Sequence, residues 1–291
     1  MNIRPAVPAD KTAIAAFTTE TFTWGDYVVE AFDEWLDDDS GMLLIATDDA
    51  NQAVAMARWT FVAPGEVWGQ GARVHPDHRR RGISSALTEA GAVWAKERGG
   101  KVLRLLTEEW NEAARGQVSK SGFRLVSKWN LWIRSIGDAA PKVAGNGGRR
   151  VPSEERLMPA RESEAGPAFL AWSGSPLVSA THGLISERWT WHHLRAGDLL
   201  SAAGRRALWA CPAGWVIAEI DDDEARTFWV SWLMAARDDA YRLIRVTIDR
   251  AITDGSERIA LMLPAVDWLD RAAKRAGLED RYRGLLYERA L

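Results

Sequence analysis

The apolar positions of the chain change period several times. Residues 2–4 read as a short strand. Residues 8–21 set Ala13, Ile14 and Phe17 on one face at helical spacing, and a second helical stretch spans 27–36. It runs into Asp37, Asp38, Asp39, Ser40 and Gly41, a polar turn. Three strands follow at 42–47, 53–62 and 67–74, the last two joined through Ala63-Pro64-Gly65-Glu66 as a hairpin. A helix over 83–98 stops at Gly99-Gly100. A strand at 102–107, a helix at 112–120 ended by Ser121-Gly122, and a strand pair around 124–134 complete the first half.

The second half repeats that order. Strands are predicted at 207–211, 215–220 and 227–234, then a helix at 239–253 and a strand at 258–263. A helix at 266–276 with Gly277 as its cap and a strand at 283–288 close the chain. An offset of about 155 residues sets Ser121-Gly122-Phe123 against Ala276-Gly277-Leu278. Side-chain identity between the halves is poor, so the repeat is one of element order. Residues 137–153 are rich in Gly, Ala and Pro, have no apolar period and read as a linker. The pattern predicts two α/β domains with mixed sheets, 1–148 and 149–291.

Composition narrows the class. The chain has 291 residues, 47% hydrophobic and 26% charged, and a net charge of −3. Neither half carries a large excess of either sign, which argues against a general nucleic-acid binder. Cys211 is the single cysteine, so an internal disulfide is excluded. No apolar run reaches the roughly 20 residues that span a bilayer, and the first residues lack a signal-peptide core. A cytoplasmic protein without a membrane partner is expected. Tryptophan is unusually frequent, with 16 copies.

The stretch with chemical content is Ala-Arg-Val-His-Pro-Asp-His-Arg-Arg-Arg-Gly-Ile-Ser-Ser-Ala, residues 72–86. A strand ends at Val74, Pro76 stops it, and a helix starts after Gly82. The first turn of a helix presents unpaired N–H groups and partial positive charge. Gly82 lets backbone approach a ligand. Arg79, Arg80 and Arg81 add charge, and Ser84 and Ser85 can add hydroxyl donors. This set suits a pyrophosphate. A solvated basic turn before an ordinary helix is the plainer reading of the same residues. The Gly-Lys-Ser/Thr ending of a Walker loop and the three glycines of a Rossmann turn are both missing.

The segment resembles the coenzyme A signature of the GNAT superfamily of acyl-CoA-dependent N-acyltransferases, Arg/Gln-X-X-Gly-X-Gly/Ala. Arg79, Gly82 and Ser84 take those places, Ser84 as a mild departure. The likeness continues through Val102–Thr107, Asn111 to Ala114 and Lys120-Ser121-Gly122-Phe123, and includes Ile3 to Ala6. It implies a tandem GNAT-like fold and acetyl-CoA as cosubstrate. Backbone at Arg73 and Val74 would pair with the pantetheine arm. Amides of Arg81, Gly82, Ile83, Ser84 and Ser85 would hold the pyrophosphate, with Arg79 and Arg80 beside them. Asn111 would sit near the thioester, or cap the next helix. The implied reaction is acetyl transfer to a primary amine of a small molecule or peptide. A longer acyl chain remains open.

Two usual catalytic places are filled by inert groups. The family's tyrosine acid falls at Val118 and its strand glutamate at Gln70. This motivates a rival reading, a non-catalytic acyl-CoA-binding or scaffolding module. The remaining candidates for a base are Glu108, Glu109 and Glu66, the last expected to be solvated in its turn. A water relay is a further route. His75 and His78 are expected to face solvent or phosphate. Trp24, Trp35, Trp59 and Trp68 fall where the acceptor pocket would form, or pack the core. No metal site is expected: His192 and His193 are adjacent and point apart. Asp37 to Asp39 and Asp221 to Asp223 read as solvated turns, and Cys211 as a small apolar residue.

In the second half, the counterpart of the basic loop is Ala235-Ala236-Arg237-Asp238-Asp239-Ala240. It has no glycine, and its two carboxylates would repel a pyrophosphate. The counterpart of Asn111 lies near Val266. This half is expected to keep the fold without the cofactor, shaping the acceptor pocket or a homodimer interface.

Overall fold

The computed structural model describes residues 1–18, 25–136, 155–222 and 225–291. Two compact units are present, Met1–Val126 with Leu286–Leu291, and Ser127–Leu285. The expected boundary near residue 148, the whole 137–153 stretch and Trp24 lie outside the described residues. The division at 126/127 falls instead inside a strand, and the last six residues join the first unit.

Unit 1 runs β1 (Asn2–Pro5), α1 (Asp10–Thr18), α2 (Phe32–Asp37), β2 (Gly41–Thr47), β3 (Ala53–Ala63) and β4 (Glu66–Val74). Then come α3 (Ile83–Glu97), β5 (Val102–Glu108), α4 (Glu112–Lys120) and the start of β6 (Arg124–Ser135). The sheet order is β1-β2-β3-β4-β5, antiparallel up to β4 and parallel between β4 and β5. The end of β14 (Glu279–Ala290) lies beside β5, where the Leu291 N–H donates to the Lys101 carbonyl at 3.0 Å. The expected strand pair at 124–134 is one long strand. The helix expected at 27–36 begins only at Phe32, because the Asp26 carboxylate takes the Val28 N–H at 3.2 Å and holds a turn.

Ile14, Val28, Phe32, Trp35, Leu43, Ile45 and Met56 form a buried cluster under α1 and α2. Trp59, 3% exposed, fills the space under α3. A Cβ at Gly91 would lie 2.2 Å from its Nε1, and a Cβ at Gly69 2.4 Å from its ring. The two glycines therefore let one indole set the distance between α3 and the sheet. That distance fixes where the N-terminus of α3 stands.

Unit 2 contains β7 (Met158–Pro159), α5 (Glu162–Ser173), α6 (Pro176–Thr181), β8 (Leu184–Glu187), β9 (Thr190–His193) and α7 (Ala196–Gly204). β10 (Leu208–Cys211), β11 (Gly214–Asp221), β12 (Thr227–Ala235), α8 (Ala240–Thr253), β13 (Arg258–Pro264) and α9 (Asp267–Arg275) follow. Its sheet runs β6-β13-β12-β11-β10-β7, with β12 and β13 parallel, and β8 with β9 forms a separate hairpin. The internal plan matches unit 1. α4 and α9 end alike: Gly122 at φ 80° and Gly277 at φ 79°, with Phe123 N–H to the Val118 carbonyl and Leu278 N–H to the Ala273 carbonyl. No helix of the described residues is long and apolar enough to cross a membrane.

Candidate active site

The site is built from one parallel strand pair and the turn that leaves it. β4 pairs with β5 from Glu66↔Val102 to Gly69↔Leu105, and there the ladder ends. β4 continues on β3 as far as Val74↔Ala55, while β5 continues to Glu108. Past Gly69 and Leu105 the two strands thus part and leave a notch. β4 also carries a bulge: Gln70 opposes Arg58 and Arg73 opposes Met56, so Gly71 and Ala72 share one opposite residue. Gly71 is needed there twice over. Its φ is +65°, and a Cβ would lie 2.8 Å from the Trp35 ring.

The turn after Val74 is tied down at its start and open at its end. The His75 N–H donates to the Val54 carbonyl at 2.8 Å, and His75 Nδ1 accepts the Asp77 N–H at 3.2 Å. The Arg79 N–H donates to the Pro76 carbonyl and its Nε to the Val74 carbonyl, each at 3.3 Å. Arg80 at φ 63° and Gly82 at φ 77° are left-handed. Arg79, Arg80, Arg81 and Gly82 are exposed, and a Cβ at Gly82 would meet nothing within 4 Å. Gly82 caps α3 without a side chain, and the first turn holds no acid. The first helical bond is Ala86 N–H to the Gly82 carbonyl at 3.0 Å, so the N–H groups of Ile83, Ser84 and Ser85 precede it. These donors and the positive end of the helix dipole follow the notch strand β4 through one exposed loop that carries three arginines. An anion with a long extended arm fits both features.

The Acetyltransferase (GNAT) family model matches residues 11–123. Residues 11–123 are a GNAT acetyltransferase domain. Mycothiol acetyltransferase of Propionibacterium freudenreichii subsp. shermanii is 32% identical over 131 residues, 42% of this chain and 38% of that protein. The chain thus matches well under half of that relative's length. A GCN5-related N-acetyltransferase from Sphaerobacter thermophilus superposes with TM-score 0.66 at 15% identity, covering 99% of this chain and 95% of that one. A tandem GNAT protein from the clavulanic acid biosynthesis pathway does so with TM-score 0.57 at 12% identity, covering 99% and 98%. At such identities these likenesses show the fold, which is a tandem one.

Within the GNAT domain the candidate acids and bases separate clearly. Glu66 is the first residue of β4 and is buried, not solvated in a turn. Arg104, 2% exposed, holds it and also donates from Nε to Glu288 at 2.9 Å. Glu66 lies at the closed end of the β4–β5 pair and is tied up in structure. Register puts Trp68 and Gln70 of β4 on one face with Arg104 of β5. Strand alternation adds Leu106 and Glu108 to it. This face bears α1 and α2, opposite α3. Glu108, half-buried, is therefore the carboxylate that stands on the notch wall. Glu109 lies past the strand, its carbonyl accepting from Arg115 Nη1 at 2.9 Å.

Asn111 is the N-cap of α4, its Oδ1 accepting the Ala114 N–H at 3.1 Å. Val118 is buried and Gln70 half-buried, and neither can move a proton. The Arg73 side chain turns to Asp26, with Nε to Oδ2 at 2.6 Å and Nη2 to Oδ1 at 3.0 Å. Any contact of Arg73 with an arm in the notch is thus a backbone one. His75 packs on Phe17, with ring centroids 5.3 Å apart, as part of the turn's scaffold. Trp35, Trp59 and Trp68 are core residues.

Two groups at the notch were not singled out from the sequence. Trp110, 71% exposed, stands on the rim after β5. Tyr27, 40% exposed, lies under the Arg73 guanidinium at 5.7 Å, beside the bulge. Desolvation and the nearby Asp26 push this phenol up, so it stays protonated. Only the Gly25-Asp26 pair hinted at a turn there, and nothing marked its partner on β4. A cavity of about 300 Å³ lined by Trp35, Asp38, Trp94 and Arg98 shares no lining residue with the notch walls. Among the described residues, no three His, Cys, Asp or Glu side chains group as metal ligands.

Proposed function

We propose that unit 1 binds acetyl-CoA and transfers its acetyl group to a primary amine of a small molecule or peptide. The observation that carries this is the meeting of the β4–β5 notch with the uncapped, arginine-flanked N-terminus of α3. The bound cosubstrate supplies an activated acetyl thioester. Amides of Arg81, Gly82, Ile83, Ser84 and Ser85 face the pyrophosphate, with Arg79 and Arg80 beside them. Backbone of residues 71–74 faces the arm. Glu108 accepts a proton from the incoming ammonium, directly or through water, on the α1–α2 face. Tyr27 offers a hydroxyl at the bulge. Trp110 lies where an acceptor enters. The match of residues 11–123 to the GNAT acetyltransferase family model and the likeness to mycothiol acetyltransferase support acetyl transfer.

A second reading, an acyl-CoA-binding module without turnover, is favoured by Val118 and Gln70. Release of free thiol from acetyl-CoA with a panel of primary amines separates the two. Turnover with any amine, with acetylated product, supports the enzyme. Tight binding without turnover across the panel supports the module.

A further inference from the structure

Unit 2 rebuilds the notch of unit 1. β12 and β13 pair in parallel from Thr227↔Arg258 to Val230↔Leu261 and then stop, while β12 continues to Ala235 and β13 to Pro264. Ile217 opposes Trp232 and Ala218 opposes Val230, so Ser231 is a bulge at the place Gly71 and Ala72 hold in unit 1. What differs is what lies in the gap. Ser186 of β8 is fully buried, and its hydroxyl donates to the Ser231 carbonyl at 2.9 Å. Leu184, also from β8, and Leu177 and Thr181 of α6 line the gap against Ser231, Leu233 and Met262, and all three are buried. The Thr181 hydroxyl is spent inside its own helix, on the Leu177 carbonyl at 2.8 Å, so the filling is apolar. The space left is about 10 Å³. That is at the limit for a single water and far too small for a pantetheine arm.

The phosphate end is missing as well. In unit 1 the connection from strand to helix is residues 75–82; in unit 2 it is residues 236–239, half as long. It contains no glycine. Asp238 stands there and Asp239 caps α8, where unit 1 has three arginines and Gly82. The counterpart of Asn111 is Val266, an N-cap with no side-chain bond.

We propose that α6 and the β8–β9 hairpin are a permanent internal occupant of the second notch, so that the chain takes up one acetyl-CoA, in unit 1 alone. This rests on the reading of unit 1 as an acetyl-CoA site, but it is a statement about unit 2. Calorimetric titration of the full chain with acetyl-CoA, joined to hydrogen exchange with and without the ligand, tests it. One equivalent is expected, with exchange slowed at residues 71–74 and 81–85 and unchanged at 231–239. Two equivalents, or slowed exchange at 231–239, overturns the proposal, because acetyl-CoA would then have displaced the plug. No binding at all contradicts the reading of unit 1 while giving unit 2 the empty record that a plugged notch requires.

Discussion

Two carboxylates of the β4–β5 pair have different environments, and their replacements should therefore fail differently. Glu108→Gln removes a proton acceptor from the notch wall and leaves the fold intact. Its kcat should fall about 10²-fold or more, with little change in acetyl-CoA affinity. An unchanged kcat would move the role to water or another group. Glu66→Gln breaks a buried pair with Arg104, which Glu288 only partly relieves. Denaturant unfolding should show a loss of about 3 kcal/mol, with no specific loss of turnover. Glu66 was expected in solvent because its Pro-Gly turn looked polar. The partner that buries it, Arg104, is 38 residues away and has no local signature.

His192 gives a pH-dependent case in unit 2. It is buried, which opposes its charge. Glu187 at 3.7 Å, the His193 carbonyl at 3.1 Å and Asp198 at 3.8 Å outweigh that and hold its pKa above the ordinary value. A raised folded-state pKa means this contribution is complete below about pH 6.5, the unfolded value. It is lost as pH rises through the higher folded value. Urea midpoints measured from pH 6 to 9 should show a decline that His192→Gln removes. A decline of equal size in the variant would assign it elsewhere.

At the scale of elements, the position of α3 matters more than its sequence. Gly91 and Gly69 admit Trp59 between helix and sheet. Gly91→Ala would force α3 outward and shift the uncapped N–H groups at its other end. Overpacking of this kind costs about 1–3 kcal/mol, readable in denaturant titration. Acetyl-CoA affinity should drop with it, although residue 91 lies two turns from the loop. A stable variant with unchanged affinity would show that the indole does not set the helix. The strands and helices of unit 1 were legible because each ends in a strong local signal: Pro76, Gly82, Gly99-Gly100, Ser121-Gly122. The α5–α7 region of unit 2 was not. Pro167 sits inside α5, and Gly174, Pro176 and Gly183 break any period, so the very elements that fill the second notch had no readable pattern.

For the whole molecule, the repeated order of elements, the matching glycine stops and the lost basic loop of the second half were all visible in the chain. Nothing local marked that 286–291 belong with unit 1. The glycine- and proline-rich stretch that reads as a boundary, 137–153, lies outside the described residues. Acetyl-CoA is proposed to sit on the open N-terminus of α3, and calorimetry of Gly82→Asp reads that placement. Gly82 faces open space, so the substitution disturbs no packing, although its φ of +77° costs about 1–2 kcal/mol for a residue with a Cβ. Circular dichroism should report an intact fold. Acetyl-CoA binding should vanish, because a carboxylate would stand where the pyrophosphate meets the amides, and Arg81→Ala should weaken binding by about 1–3 kcal/mol. Wild-type affinity in a folded Gly82→Asp protein would contradict the account.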